Sequence, residues 1–300
     1  GPDGDVLLVT EKATNKLVSY RVRRDGRIDA PVVTASSGTT PFGFAFDPRG
    51  HALVSEAFGG AAGASTLSSY GFAEWAPAKP VLISASVPDT QTAACWVAIT
   101  PDGRHAYAIC ELDSTMAAFD YEPGSGTLTY LESHPMLPPD FEGHSHCADI
   151  AIHPSGRFVY GSNRGHDSIT MFAVDPDSGR LTPLGHRSTE GKTPRNFTLS
   201  PDGRFLLVAN QDSDTIVTIA IDERIAQVPE WLTQANAALR GGLPPGITGR
   251  HCSKPHPCAF SAHCQRLDPP APPHPLSLLP GSSGKGLATR LQATRGYTSL

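Results

Sequence analysis

Apolar and polar residues alternate with a period of two along most of the first 222 positions. The alternating runs are short, and tight-turn signals separate them. Such a pattern predicts antiparallel strands rather than helices. The clearest stretch runs from Cys147 to Asp222. It opens with an alternating apolar run, then Pro-x-Gly-Arg, a second apolar run, a polar Asp-Ser turn and a third run, and then repeats the set. The Pro-x-Gly element recurs at Pro2, Pro48, Pro101, Pro154 and Pro201, at steps of 46, 53, 53 and 47 residues. The first apolar residue of the third strand lies 15 after the proline at Leu17, Met116, Ile169 and Ile216, and 19 after it at Leu67. Gly26, Gly126 and Gly179 each open a Gly-x-[Leu/Ile] signal for a fourth strand. Four short strands per repeat of this length predict the blades of an all-β propeller. Equal offsets in four units argue against a β-sandwich with accidental turn similarity.

Proline fixes φ and glycine supplies a positive φ, so each Pro-x-Gly is a turn between strands one and two. Thr14-Asn15, Asp113-Ser114, Asp167-Ser168 and Asp212-Ser213 are the turns between strands two and three. Unit one begins at its second strand, and unit five ends near Asp222 without an outer strand. About four and a half blades result, at the small end of the usual range. If the ring stays open, its edge strands are sites of self-association.

Composition divides the chain. Residues 1–222 carry 16 Lys/Arg and 26 Asp/Glu, whereas residues 223–300 carry 8 and 3, together with 11 of the 28 prolines. The expected domains are a propeller over 1–222, a short helix with a Cys/His-rich segment over 223–266, and a disordered Pro-rich tail over 267–300. The helix is expected from Val228 to Arg240, with Pro229 in its first turn and Gly241-Gly242 at its end. No apolar run approaches the roughly 18–20 residues of a membrane span, and no leader is visible, so no membrane partner and a cytoplasmic location are expected. Three basic residues in the tail are a poor signal for nucleic acid. Cys95, Cys110 and Cys147 lie beside or within apolar strands and read as buried free thiols, which suits a reducing compartment.

Candidate chemistry follows from the hairpin about each Pro-Gly turn. A residue six before the proline should lie opposite one nine or ten after it, at one mouth of the channel. The first ring holds Phe42, Cys95, Ala148 and Arg195; the second holds Lys12, Phe58, Glu111, Arg164 and Gln211, with His166 two further on. One carboxylate among several cations makes an anion-binding pocket, with Glu111 able to act as a base. The bland alternative is a set of solvated loop charges. In the tail, Cys252, Cys258 and Cys264 are separated by five residues each, with His251, His256 and His263 interleaved. Thiolates and imidazoles suit zinc or an iron–sulfur cluster, although the spacing matches neither a zinc-finger pair nor a complete ferredoxin run. A disordered cysteine-bearing appendage is the alternative.

The stretches ELDST from Glu111, SNRGHDSI from Ser162 and GKTPRNF from Gly191 resemble the propeller-type 6-phosphogluconolactonases. VLLVTEKATNKLVSYRV, PFGFAFDPRG, LVSEAFGGAAGAS and SASVPDTQTAACWVAITPDGR, within residues 6–107, resemble bacterial lactonase-family propellers, another branch. That family is seven-bladed. The resemblance implies hydrolysis of a small-molecule sugar-acid lactone without a cofactor. It places a catalytic glutamate on Glu111 and a catalytic arginine on Arg195; the ring positions add Arg164, His166 and Lys12 as substrate-binding groups. A second family arginine falls on Cys95, and the family histidine has no counterpart, so weak activity is implied. A non-catalytic binding scaffold is the alternative, and a metal-cluster tail protein with a vestigial propeller is a third reading. Residues 228–264 are similar to a cysteine stretch in uncharacterised bacterial proteins of restriction-endonuclease-like fold.

Overall fold

The computed structural model describes residues 1–72 and 78–221. The helix expected near Val228, the metal ligands Cys252, Cys258 and Cys264, and the Pro-rich tail lie outside the described residues. No helix among the described residues is long and apolar enough to cross a membrane.

Among the described residues, eighteen strands form five separate antiparallel sheets. The first sheet holds β1 (Val6–Glu11), β2 (Lys16–Arg21) and β3 (Val32–Ala35). The second holds β4 (Pro41–Phe46), β5 (Ala52–Glu56), β6 (Thr66–Phe72) and β7 (Pro80–Pro88). The third holds β8 (Ala94–Ile99), β9 (His105–Cys110), β10 (Thr115–Glu122) and β11 (Thr127–Pro135). The fourth holds β12 (His146–Ile152), β13 (Phe158–Arg164), β14 (Ser168–Val174) and β15 (Leu181–Ser188). The fifth holds β16 (Pro194–Leu199), β17 (Phe205–Asn210) and β18 (Thr215–Ala220). These are propeller blades, three complete and two short. Among the described residues the first blade lacks its inner strand and the last its outer strand, as the repeat offsets predict. Among the described residues no strand of the first sheet pairs with one of the last.

The turns are those the sequence specifies. Gly4, Gly50, Gly103, Gly156 and Gly203 all have φ between 70° and 88°. Asn15, Ser114, Asp167 and Asp214 take the left-handed conformation between strands two and three, where short polar side chains tolerate it best.

The core lies between blades rather than within them. Leu8 and Leu17 meet Val54 and Tyr70 between blades one and two. Leu53 and Leu67 meet Ala108 and Phe119 between blades two and three. Tyr107 and Met116 meet Cys147 and Phe172 between blades three and four, and Tyr160 meets Phe197 and Val208 between four and five. Strand patterns record this arrangement. β5 and β9 are buried at every position because each is covered on both faces. β17, covered on one face, alternates buried and open positions.

The predicted hairpin register is off by one. The residue seven before the proline, not six, pairs with the one nine after it: Ala94 with Cys110, Cys147 with Asn163, Pro194 with Asn210. A β-bulge falls in every inner strand, with shifts between Pro41 and Phe44, Ala94 and Trp96, Cys147 and Ile150, and Pro194 and Asn196. The residue six before the proline is therefore unpaired, and a bulge re-aims its side chain.

At the end of the second strand each blade carries a buried side chain that ties down the loop arriving from the previous blade. Asn163 Nδ2 donates to the Met136 carbonyl at 3.0 Å, and Asn210 Nδ2 to the Thr189 carbonyl at 3.0 Å. Cys110 Sγ lies 3.5 Å from Asp89 Oδ2. In blade two the residue is Glu56, fully buried. It accepts from the Gly38 N–H at 2.7 Å and from the Ser68 and Ser86 hydroxyls at 2.7 and 2.9 Å. Among the described residues it has no cationic partner, so these donors alone compensate its burial. Glu56→Ala should lower the stability of the propeller by about 3 kcal/mol, because it strands the Gly38 N–H and the surrounding hydroxyls. Glu11, half-buried at the end of β1, should cost less than about 1 kcal/mol on the same change. Urea unfolding of both variants checks this, and equal losses would refute it.

Candidate active site

The bulges of β4, β8, β12 and β16 face one cavity of about 250 Å³. It is lined by Phe42, Cys95, Trp96, Glu111, Cys147, Ala148, Arg164, Arg195 and Asn196. Three sequence-predicted groups, Glu111, Arg164 and Arg195, therefore come together, each from a different blade. Glu111 follows the end of β9, and its N–H is fixed by the Ala93 carbonyl at 2.9 Å. Arg164 ends β13. Its Nη2 donates to Glu111 Oε1 at 2.5 Å and to the Cys147 carbonyl at 3.1 Å. The pair is partly shielded, with Arg164 17 % and Glu111 34 % exposed, so solvent screens it less than a surface ion pair. Arg195 sits in the β16 bulge and is exposed; among the described residues it makes no salt bridge. One carboxylate and two guanidinium groups leave the lining with an excess positive charge, which favours an anionic guest.

The other two predicted groups lie elsewhere. Lys12 does not line the cavity; its Nζ sits 4.9 Å from the centre of the Phe42 ring. His166 belongs to a separate cluster. Its ring packs edge-on to Phe141 at 4.9 Å and to His186 at 5.5 Å, and its Nδ1 is 2.6 Å from Ser168 Oγ. Burial, then the nearby His186, pushes its pKa below the usual imidazole range. The turn after β13 carries the ring outward from Arg164, so two residues of sequence separation do not put both side chains at one mouth. Phe58 and Gln211, in the same predicted ring, fall in short 3₁₀ turns and are not part of the lining.

Cys95 and Cys147 form the apolar floor and are unpaired thiols. Burial, together with the adjacent Cys95, pushes the Cys147 thiol well up, so it is a packing group here and not a nucleophile. Among the described residues no cluster of three or more His, Cys, Asp or Glu could hold a metal ion.

Three lining or supporting residues escaped the sequence reading. Trp96 follows the bulge of β8, and Asn196 that of β16. Asp149, in the β12 bulge, accepts from Asn196 Nδ2 at 2.6 Å and from the Phe197 N–H at 3.0 Å, joining blade four to blade five. The signal for Asp149 was present, as a carboxylate within the apolar run CADIAI.

Residues 95–237 match the family described as "Lactonase, 7-bladed beta-propeller". That stretch of the propeller is similar to the lactonase family. The 6-phosphogluconolactonase of Bacillus subtilis is 39% identical over 101 residues, covering 34% of this chain and 29% of that protein. Among solved structures, the periplasmic gluconolactonase of Pseudomonas aeruginosa superposes with a TM-score of 0.63 at 28% identity, covering 75% of this chain and 65% of that one. A putative 6-phosphogluconolactonase from Bacteroides uniformis gives a TM-score of 0.63 at 26% identity, covering 74% and 65%. The chain thus spans about three tenths of the length of the curated relatives it matches. Glu111, Arg164 and Arg195 all fall inside the matched region.

Asp149, which supports Asn196 of the lining, gives the cavity a measurable pH signature. Burial pushes its carboxyl above the usual range, against the lowering pull of the Phe197 and Ile150 N–H groups. A carboxyl raised on folding holds its proton more tightly folded than unfolded. Its contribution therefore falls as pH rises from the unfolded value, about 3.9, through the raised folded one. Asp149→Asn abolishes that titration and keeps an acceptor for Asn196. Relative to the parent, the variant should gain stability between about pH 4 and about pH 7 in urea unfolding. An equal difference at both pH values would exclude Asp149 as the source.

Proposed function

We propose that the cavity at Glu111, Arg164 and Arg195 hydrolyses the lactone of a sugar acid, with 6-phosphogluconolactone as the leading substrate and a phosphorylated aldonic acid as product. The observation that carries this reading is the Glu111–Arg164 ion pair with Arg195 on the same cavity wall. Relatives described as 6-phosphogluconolactonases support it. Glu111 orients a water and takes its proton as the water oxygen bonds to the lactone carbonyl carbon. Negative charge then moves to the carbonyl oxygen, where a guanidinium stabilises it. The bond from carbonyl carbon to ring oxygen breaks, and the ring oxygen takes the proton back from Glu111. The open-chain acid leaves and Glu111 is restored.

Arg164 holds the Glu111 carboxylate at 2.5 Å and is committed to it. Arg195, with no such partner among the described residues, is the group assigned to the anionic end of the substrate or the developing oxyanion. Cys95 contributes a small apolar surface where a further cation would strengthen the charge. A slow enzyme is the expectation, acting in the cytoplasm on a small-molecule substrate without a cofactor.

Purified protein should release acid from 6-phosphogluconolactone faster than the spontaneous rate. Glu111→Gln should lower the enzymatic rate by about 10²–10⁴. Arg195→Ala should lower it by about 10²–10³. A folded protein with no acceleration, or one whose rate is unchanged in Glu111→Gln, would make the cavity a binding site without hydrolytic chemistry.

A further inference from the structure

Trp96 lines the cavity and remains 41 % exposed, although Ala94, Cys95 and Val97 around it in β8 are buried. An indole left this open on a cavity wall is poised for a guest rather than for the core. Its position is built. Phe42 packs edge-on against it, with centroids 6.1 Å apart and planes at 83°. Underneath, the β4 backbone approaches so closely that a Cβ on Gly43 would lie 2.7 Å from Trp96 Cε3 and 2.2 Å from the Cys95 carbonyl oxygen. Only glycine fits there. The contact is locked by Ser55, itself fully buried. Its Oγ accepts from the Gly43 N–H at 3.0 Å and lies 2.8 Å from the Cys95 carbonyl oxygen. The aromatic wall is therefore rigid and fixed to two blades. The same cavity carries the Glu111–Arg164 pair and Arg195.

We propose that Trp96 is a specificity residue that stacks on the ring of a cyclic sugar-acid lactone, so that the cavity prefers the closed lactone to the open-chain acid. This rests on reading the cavity as the lactone site. A lactone ring presents a flattened C–H face that an indole can cover, while its oxygens reach the polar residues of the lining. Once the ester bond breaks, the chain loses that face and regains torsional freedom. The stacking then contributes little, which assists product release. Hydrolysis adds a carboxylate to whatever anion the substrate already carries, so the guanidinium groups favour the open-chain acid, and a preference for the closed ring has to come from the aromatic wall.

The probes are glucono-δ-lactam, a ring that does not hydrolyse, and gluconate, its open-chain counterpart. Calorimetry should show that Trp96→Ala weakens lactam binding by about tenfold or more, whereas Trp96→Phe stays within about threefold. Gluconate binding should change by less than about twofold in both variants. The chain has three tryptophans, so a Trp75→Phe/Trp231→Phe background leaves Trp96 as the only indole. Its fluorescence should respond to lactam and not to gluconate, and this readout needs no substitution in the cavity. Lactam binding unchanged in Trp96→Ala, equal losses for lactam and gluconate, or no lactam binding by the parent would each overturn the proposal. Turnover separates the two readings. Lactam binding that depends on Trp96 without hydrolysis removes the enzyme and keeps the stacking; hydrolysis with normal KM in Trp96→Ala does the reverse.

Discussion

Everything at the mouth of the channel depends on a bulge that recurs in each inner strand. An inner strand of regular pairing would send alternate side chains into the packing between blades and leave none aimed at the axis. One extra residue breaks the pairing and turns its side chain out of that packing. The cost is a backbone N–H without its ladder partner, which must be satisfied elsewhere. Serines of the second strand supply the acceptor. Ser55 Oγ takes the Gly43 N–H at 3.0 Å in blade two, and Ser162 Oγ takes the Asp149 N–H at 3.1 Å in blade four. Both serines are fully buried, so the hydroxyls are part of the scaffold and not of the chemistry. Cys95 and Arg195, the unpaired residues of their strands, show what the device offers: a fixed backbone on which the side chain is free to vary.

The fold was legible because its determinants are local. Turn residues at constant offsets state where each strand starts, and glycine or a short polar residue stands where φ must be positive. The short first and last blades were visible for the same reason. The site was only partly legible. Counting outward from Pro101, Pro154 and Pro201 brought Glu111, Arg164 and Arg195 to one mouth, since turn-anchored distance along a strand survives folding. It assigned the wrong partner across the hairpin, because a bulge adds a residue without leaving a turn signal. It also placed His166 with Arg164, when Gly165, at a φ of 106°, redirects the chain between them. Trp96 and Asp149 were hidden by a different limit. In an alternating run, whether a residue faces the neighbouring blade or the axis depends on the register, and the register is what the bulge alters.

The cavity is assembled across blade boundaries, and this sets how its charges behave. Glu111 belongs to blade three and Arg164 to blade four; Asp149 of blade four holds Asn196, next to Arg195, in blade five. Each contact spans the same interface that the core residues fill. The packing of Tyr107 and Met116 against Cys147 thus fixes the distance between the carboxylate and its guanidinium. Such preorganisation matters because an ion pair that had to reorganise during reaction would give back part of what it stabilises. The thiols at the floor fit this role. With Cys147 pushed toward its neutral form, the floor contributes shape and low polarity, which strengthens the charges above it.

The two arginines consequently cannot be equivalent, although both line the cavity. Arg164 behaves largely as a structural residue: it is mostly buried, donates to Glu111 and to the Cys147 carbonyl, and its positive charge is already opposed. Arg195 is exposed, and no carboxylate opposes it among the described residues. The net attraction for an anion therefore resides at Arg195, at the blade-five side, while orientation of the carboxylate resides at Arg164. Phe42 of blade two and Trp96 of blade three form a wall that carries no formal charge. A guest with an apolar ring face and an acidic end has one alignment in such a cavity, with the ring against the indole and the charge toward blade five. That polarity across the channel, set by which blade carries which bulge residue, is what a ring of otherwise similar repeats needs in order to bind an asymmetric molecule in one direction.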